Sequence, residues 1–197
     1  MILTEKVGVP YRLGKQIQLG HVIKNMDAAL DYWTKIMGVG PFVVIETSVG
    51  DRQFFHRGKL SAVNFCIAIT FMGETMIELI TPLNNEPSPY QEFLASGREG
   101  LHHLGVWPDD FTIACEQLKD SGFVEVSSIR RPDGANDVIY CDTPCATGIM
   151  YELAEMTPLR AKFLAGIKTL STHWDGSRPV RRYPSRTAFI ESRDFSN

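Results

Sequence analysis

Gly100-Leu101-His102-His103-Leu104-Gly105-Val106-Trp107-Pro108-Asp109-Asp110 alternates apolar and small residues, then closes on Pro-Asp-Asp, a turn followed by a helix start. This predicts a strand that feeds a helix. His102 and His103 stand side by side at the strand entrance, and adjacent strand residues point to opposite faces. Only one of them can look into a given cavity, so the other must be packed, capped or solvated.

The same order occurs earlier in the chain. Ile17 to Ile23 reads as a strand, and Asn25-Met26-Asp27 opens a helical pattern with Ala28, Leu30, Trp33 and Met37 apolar and Gly38 as the stop. Strand-like runs follow at Phe42 to Thr47, around Gln53 to His56, at Ala62 to Phe71 and at Met76 to Thr81, with Gly73-Glu74 as a hairpin turn. After Leu101 to Trp107, the second half gives a helix over Asp110 to Ser121 stopped by Gly122. Strands follow at Phe123 to Ile129, Val138 to Asp142 and Gly148 to Leu153. The expected fold is α+β. Two β-α-β-β-β modules pair into a partly open mixed β-sheet barrel around a cleft, with a C-terminal helix and arm. Residues 1–16 read as a tail, 17–83 as the first module, 84–99 as a linker, 100–157 as the second module and 158–197 as helix and extended arm.

A chain of 197 residues suits one domain, or two small modules sharing a core. A net charge of -3 offers no global attraction for nucleic acid or an anionic membrane, and neither partner is expected. Met1 to Gln16 lack the apolar core of a signal peptide, and the run Val63 to Met72 is too short to span a bilayer. Cys66, Cys115, Cys141 and Cys145 form no C-x-x-C pair, so free thiols in a reducing, cytoplasmic setting are expected.

Two such modules in tandem resemble the vicinal oxygen chelate superfamily, which includes glyoxalase I, methylmalonyl-CoA epimerases, extradiol dioxygenases and bleomycin-resistance proteins. The resemblance covers roughly residues 17–156. Its epimerase-like features are Asp27-Ala28-Ala29-Leu30-Asp31-Tyr32-Trp33 with Gly38, the run Gly73 to Leu83, and Gly100-Leu101-His102-His103. Order and spacing are specific for the fold and much less so for the reaction.

The resemblance implies one metal ligand at the start of the first strand of each module and one on the last strand of each. In this family the first ligand lies nine residues before the Asp of the D-A-A-L helix start, which from Asp27 gives Gln18; Thr112 and His103 keep the same interval. His21, the tempting histidine on that strand, falls on the opposite face from Gln18. The last strands supply Glu78 and Glu152, acids set among apolar neighbours, where an unpaired carboxylate needs a cation or strong donors. Gln18, Glu78, His103 and Glu152 would suit Zn²⁺, Ni²⁺, Co²⁺, Mn²⁺ or Fe²⁺. The set is similar to the zinc-binding set of eukaryotic glyoxalase I and departs from the usual epimerase pattern, in which a histidine opens the first strand. One histidine at the ligand positions disfavours ring-cleaving dioxygenase chemistry.

Such a site implies removal of a proton next to a metal-held carbonyl, with Glu152 as general base. Glu46 is the second candidate, by analogy with an epimerase glutamate near this place; the competing role is a solvated edge residue. The substrate class is a small-molecule carbonyl or thioester, and the product choice between epimerase, glyoxalase-type isomerase and lyase stays open. The opposing class is a metal-free small-molecule binding protein of the same fold. His56 is expected at the surface, and His102 packed or capped. Leu159, Phe163, Ile167, Leu170 and Trp174 mark one apolar helical face that must pack on the modules or a second subunit, and a homodimer is expected. Arg178, Arg181, Arg182 and Arg186 read as a surface arm, with an anionic cofactor arm as the alternative.

Overall fold

Asn25, Ser88, Asp110 and Thr157 each accept a hydrogen bond from the backbone N–H three residues on, at 2.9–3.2 Å, and each opens a helix. In the computed structural model, which describes residues 17–196, these helices are α1 (Met26–Asp31), α2 (Pro89–Ala95), α3 (Phe111–Asp120) and α4 (Pro158–Thr172). A wider helical turn, Tyr32–Ile36, extends α1, with the Met37 N–H reaching back to the Tyr32 carbonyl at 3.1 Å. Pro89 and Pro158 sit in the first turns of α2 and α4, where a missing N–H does no harm. The tail expected over 1–16 lies outside the described residues.

The first module contributes β1 (Ile17–Val22), β2 (Phe42–Ile45), β3 (Gln53–His56), β4 (Lys59–Ser61), β5 (Phe65–Met72) and β6 (Thr75–Pro82). The second contributes β7 (Gly100–Val106), β8 (Val124–Arg130), β9 (Asn136–Asp142) and β10 (Met150–Ala154). All join β11 (Val180–Tyr183) in one eleven-stranded mixed sheet that does not close, in the order β11-β2-β5-β6-β1-β7-β10-β9-β8-β3-β4. The modules meet where β1 runs antiparallel to β7, each flanked by its own module's last strand in parallel.

Strand alternation divides the core by face. On the outer face α1 lays Leu30 against Phe42, Val44, Ile77 and Leu79, and α3 lays Ala114 and Leu118 against Val106, Ile139 and Leu153. The concave face carries the largest cluster, which includes Val43, Phe65, Ile69, Trp107 and Tyr140. Tyr90 and Phe93 of α2 fill it from one side.

The C-terminal segment departs from the expected arm. α4 crosses the concave face and buries Phe163, Leu164, Ile167 and Leu170 there, each worth about 1.5–3 kcal/mol of removed apolar surface. β11 then pairs in parallel with β2, and α5 (Arg186–Ile190) and α6 (Arg193–Ser196) fold back on α4, with Phe189 fully buried. Arg178 and Arg181 pair with Asp194, Arg182 pairs with Asp27, and Arg186 turns into the cleft. An arginine- and proline-rich stretch therefore serves as sheet edge and cleft wall. No helix among the described residues is long and apolar enough to cross a membrane.

Candidate metal centre

Gln18 lies on β1, Glu78 on β6, His103 on β7 and Glu152 on β10, the four central strands of the sheet. Register brings them together: Gly20 stands opposite both Glu78 and His103, and Gly105 opposite both Gln18 and Glu152. All four side chains enter the concave face, and none is more than 8% exposed. His103 Nε2 lies 3.0 Å from Glu152 Oε2, 3.6 Å from Glu78 Oε2 and 3.2 Å from Gln18 Nε2. The Gln18 amide donates to Glu78. One ligand atom each from Glu78, His103 and Glu152 falls within 4.8 Å of the others, a spacing fit for one metal ion.

Two further observations fit a cation. Glu152 Oε2 is buried with only His103 Nε2 beside it, at 3.0 Å, so its charge must be met by the His103 proton or by a cation in that proton's place. The Gln18 amide exchanges oxygen for nitrogen by a simple flip, which would put its oxygen beside Glu78 and His103. Burial and the neighbouring Glu152 raise Glu78 above the usual carboxylate range. Burial would likewise raise Glu152, but the hydrogen bond and charge of His103 outweigh it and hold it low. Burial pulls His103 down, yet the two carboxylates push it up to about 9. An ion held by these groups would displace that proton.

The pseudo-symmetry depends on two glycines. A Cβ on Gly20 would overlap the His103 ring, and a Cβ on Gly105 would stand 2.7 Å from Gln18 Oε1. Each module's first-strand ligand thus lies across the other module's glycine, two residues beyond that module's own ligand. The repeated Leu19-Gly20 and Leu104-Gly105 pairs were the available sequence signal. Tyr140 was also missed: its ring meets His103 edge-on at 5.3 Å, and its hydroxyl accepts from Tyr90 at 2.9 Å.

The remaining candidates fall elsewhere. His21 faces away, hydrogen-bonded to the Leu19 carbonyl at 3.2 Å and set edge-on to Trp33. Glu46 follows β2 on the outer side with Val44, exposed and away from the cleft lining. His102 packs on Tyr90 and Phe93, with Nδ1 3.0 Å from His103 Nδ1; burial and the His103 charge push it down to about 3, so it is neutral. His56 is buried rather than at the surface, bonded to Ser127 at 2.8 Å and Glu92 at 3.0 Å. It shares the inward face of β3 with Phe54.

Beside the ligand cluster is an inner cavity of about 50 Å³, bordered by Trp107 and Tyr140 and closed by Arg52, Arg160 and Arg186. Those three arginines also line an outer pocket of about 410 Å³ between the β2–β3 loop and the C-terminal segment.

A cleft of this form at the seam of two βαβββ modules defines the class. Residues 17–141 match the Glyoxalase/Bleomycin resistance protein/Dioxygenase superfamily, and the chain belongs to it. Among solved structures, methylmalonyl-CoA epimerase from Mycobacterium tuberculosis is similar with a TM-score of 0.54 and 18% identity, covering 76% of this chain and 93% of that one. A variant of the Streptomyces coelicolor methylmalonyl-CoA epimerase, in complex with 2-nitronate-propionyl-CoA, has a TM-score of 0.52 and 18% identity and covers 74% and 96%. A hypothetical protein from Bacillus halodurans C-125 gives 0.52 and 19%, covering 73% and 94%. At these identities the likeness is one of fold. Comparison with curated proteins finds no match.

Proposed function

We propose that this protein is a divalent-metal-dependent isomerase of the epimerase or glyoxalase type, acting on a small carbonyl or thioester compound. The observation that carries the reading is the convergence of Glu78, His103 and Glu152 on one buried point, with the Glu152 oxygen met only by His103 Nε2. Gln18 completes the set in this reading. An ion bound there supplies a Lewis acid that polarises the substrate carbonyl.

Glu152 takes the proton from the adjacent carbon, as a charged base beside a narrow cavity. Tyr140, whose hydroxyl is held by Tyr90, orients Glu152 and shields it from water. Trp107 and Tyr140 limit the reacting end to a few atoms. Return of the proton to the same carbon gives an epimer, and return to the neighbouring carbon a glyoxalase-type isomer. Glu46, exposed on the outer side, has no part in this reading.

The test is metal content together with α-deuterium incorporation from D₂O into carbonyl and thioester substrates. Glu152→Gln should keep metal and lose exchange by roughly 10²–10⁴-fold, whereas Glu152→Ala should lose metal as well. Parent-like exchange in Glu152→Gln would remove Glu152 as base. A purified protein that takes up no divalent ion would favour the metal-free binding protein, in which Gln18, Glu78 and His103 simply satisfy one another.

A further inference from the structure

Between the inner cavity and the outer pocket, charge does not balance. Arg52 bonds the Ser48 and Val49 carbonyls and pairs with Asp137, and Arg160 pairs with the same Asp137 oxygen at 2.9 Å and bonds the Glu155 carbonyl. Arg186 has only Ser48 as a hydrogen-bond partner among the described residues, its Nη1 3.1 Å from the carbonyl and its Nη2 3.1 Å from the hydroxyl. Two guanidinium groups therefore share one carboxylate, and the third, Arg186, pairs with none among the described residues. Asp51, the other carboxylate on the outer pocket, is exposed. Glu78 and Glu152 cannot balance the surplus in the metal-loaded reading, because a divalent ion already neutralises them.

A surplus of positive charge on half-buried side chains is costly unless an anion meets it. Burial and the charges of Arg52 and Arg160 push the Arg186 guanidinium down to about 9. Nor does packing alone account for these residues. Arg52 and Arg160 are only 11% and 13% exposed, yet both residues line the inner cavity and the outer pocket. Arginine offers a planar fork of donors matched to an oxyanion.

We infer that Arg52, Arg160 and Arg186 bind an oxyanion, a carboxylate or a phosphate, carried by the substrate next to its reacting end. The inference rests on the reading above for where the reacting end lies and for the neutralisation of Glu78 and Glu152, while the anion's own contacts are the three arginines and not the metal. Arg160 belongs to α4 and Arg186 to α5, both beyond the last residue of the family match at 141. The C-terminal segment therefore supplies specificity to a cleft that the two modules build.

The experiment is calorimetric titration of the full-length, metal-loaded protein at constant ionic strength with malonate, inorganic phosphate and neutral malonamide. Malonate or phosphate should bind and malonamide should not; the tighter of the two anions tells carboxylate from phosphate. Arg186→Gln strands no carboxylate, and it should weaken binding by about tenfold or more, with Arg186→Lys in between. Asp137→Asn removes the competing carboxylate and should tighten binding, a change that loss of folding cannot mimic. Titration after metal removal by dipicolinate should weaken binding, because Glu78 and Glu152 then compete for the arginines, without abolishing it. The inference is overturned if neither anion binds below about 10 mM, if malonamide binds equally, if Arg186→Gln binds as the parent does, or if metal removal abolishes binding. A protein that takes up no metal yet binds the anion would defeat only the proposed reaction.

Discussion

Gly20→Ala adds one methyl group to the seam between the modules. Its Cβ would stand 2.5 Å from His103 Nδ1 and nearer still to Cε1 and Nε2. Carbon atoms in good contact lie about 3.5–4.0 Å apart, so the ring must retreat by about 1 Å or more. His103 is fully buried, with Tyr140 and His102 packed edge-on against its ring, and has little room to retreat. Overpacking of this kind destabilises by about 1–3 kcal/mol. At roughly 2–4 °C per kcal/mol for a chain of this size, Tm should fall by about 2–12 °C.

Metal binding should suffer more than stability. A shift of about 1 Å is twice the ~0.5 Å within which a site's geometry must be held, so affinity should drop by at least roughly tenfold to a hundredfold. The assay is competition against a chromogenic chelator for affinity, with thermal unfolding in parallel. A second variant isolates the cause: in His103→Ala the obstructing ring is gone, so adding Gly20→Ala to it should cost almost nothing further in Tm. Equal Tm losses in the two backgrounds, or parent-like metal affinity in Gly20→Ala, would refute the close approach as the reason for glycine.

Gln18→Ala should weaken metal affinity by at least roughly tenfold while His21→Phe leaves it unchanged, since His21 leans on Trp33 outside the cleft; the same chelator competition reads both. Phe163→Ala, at a side chain 1% exposed, should destabilise by about 3–5 kcal/mol in urea unfolding, and a loss under about 1 kcal/mol would deny α4 its place on the concave face. Burial would raise the Asp137 carboxyl, but Arg160 and Arg52 outweigh it and hold it below its usual value. Its stabilising contribution is thus complete above about pH 4 and fades as pH falls through the folded-state value. Asp137→Asn should therefore lower Tm at pH 7, and the gap to the parent should close on acidification below about pH 4.

The repeat was legible because strand alternation and helix caps are local signals. Gln18, Glu78, His103 and Glu152 were reached through the family frame, and the alternation that set His21 aside matches the unbroken pairing of β1 with β6, although the pairing with β7 shifts between Gly20 and His21. His56 was readable and was misjudged: Gln53-Phe54-Phe55-His56 alternates, so a buried Phe54 carries His56 to the same face. Other features depend on long-range pairing. Nothing local says that β3 pairs with β8 of the other module, or that Val180–Tyr183 joins β2. Arg186 looks solvated in a stretch of arginines and prolines; it turns inward because α4 crosses the cleft and α5 returns over Phe163.

These pieces assign different work to different parts of the chain. The ligand cluster sits where β1 meets β7, so modules slipped against each other by one residue would turn Gln18 or His103 to the wrong face and set side chains against each glycine. The candidate site and the docking of the modules thus depend on the same register. The cavity beside it, about 50 Å³, has room for only a few water-sized groups, while the outer pocket of about 410 Å³ accommodates a much larger body. In the proposed reading, a compound entering from the outer pocket passes Arg52, Arg160 and Arg186 with its small end first. In that reading, reaction type is a matter for the sheet, and substrate choice for the β2–β3 loop and the C-terminal segment. That division fits a C-terminal segment whose α4 and α5 are integral to the core and yet lie beyond the last residue of the family match at 141.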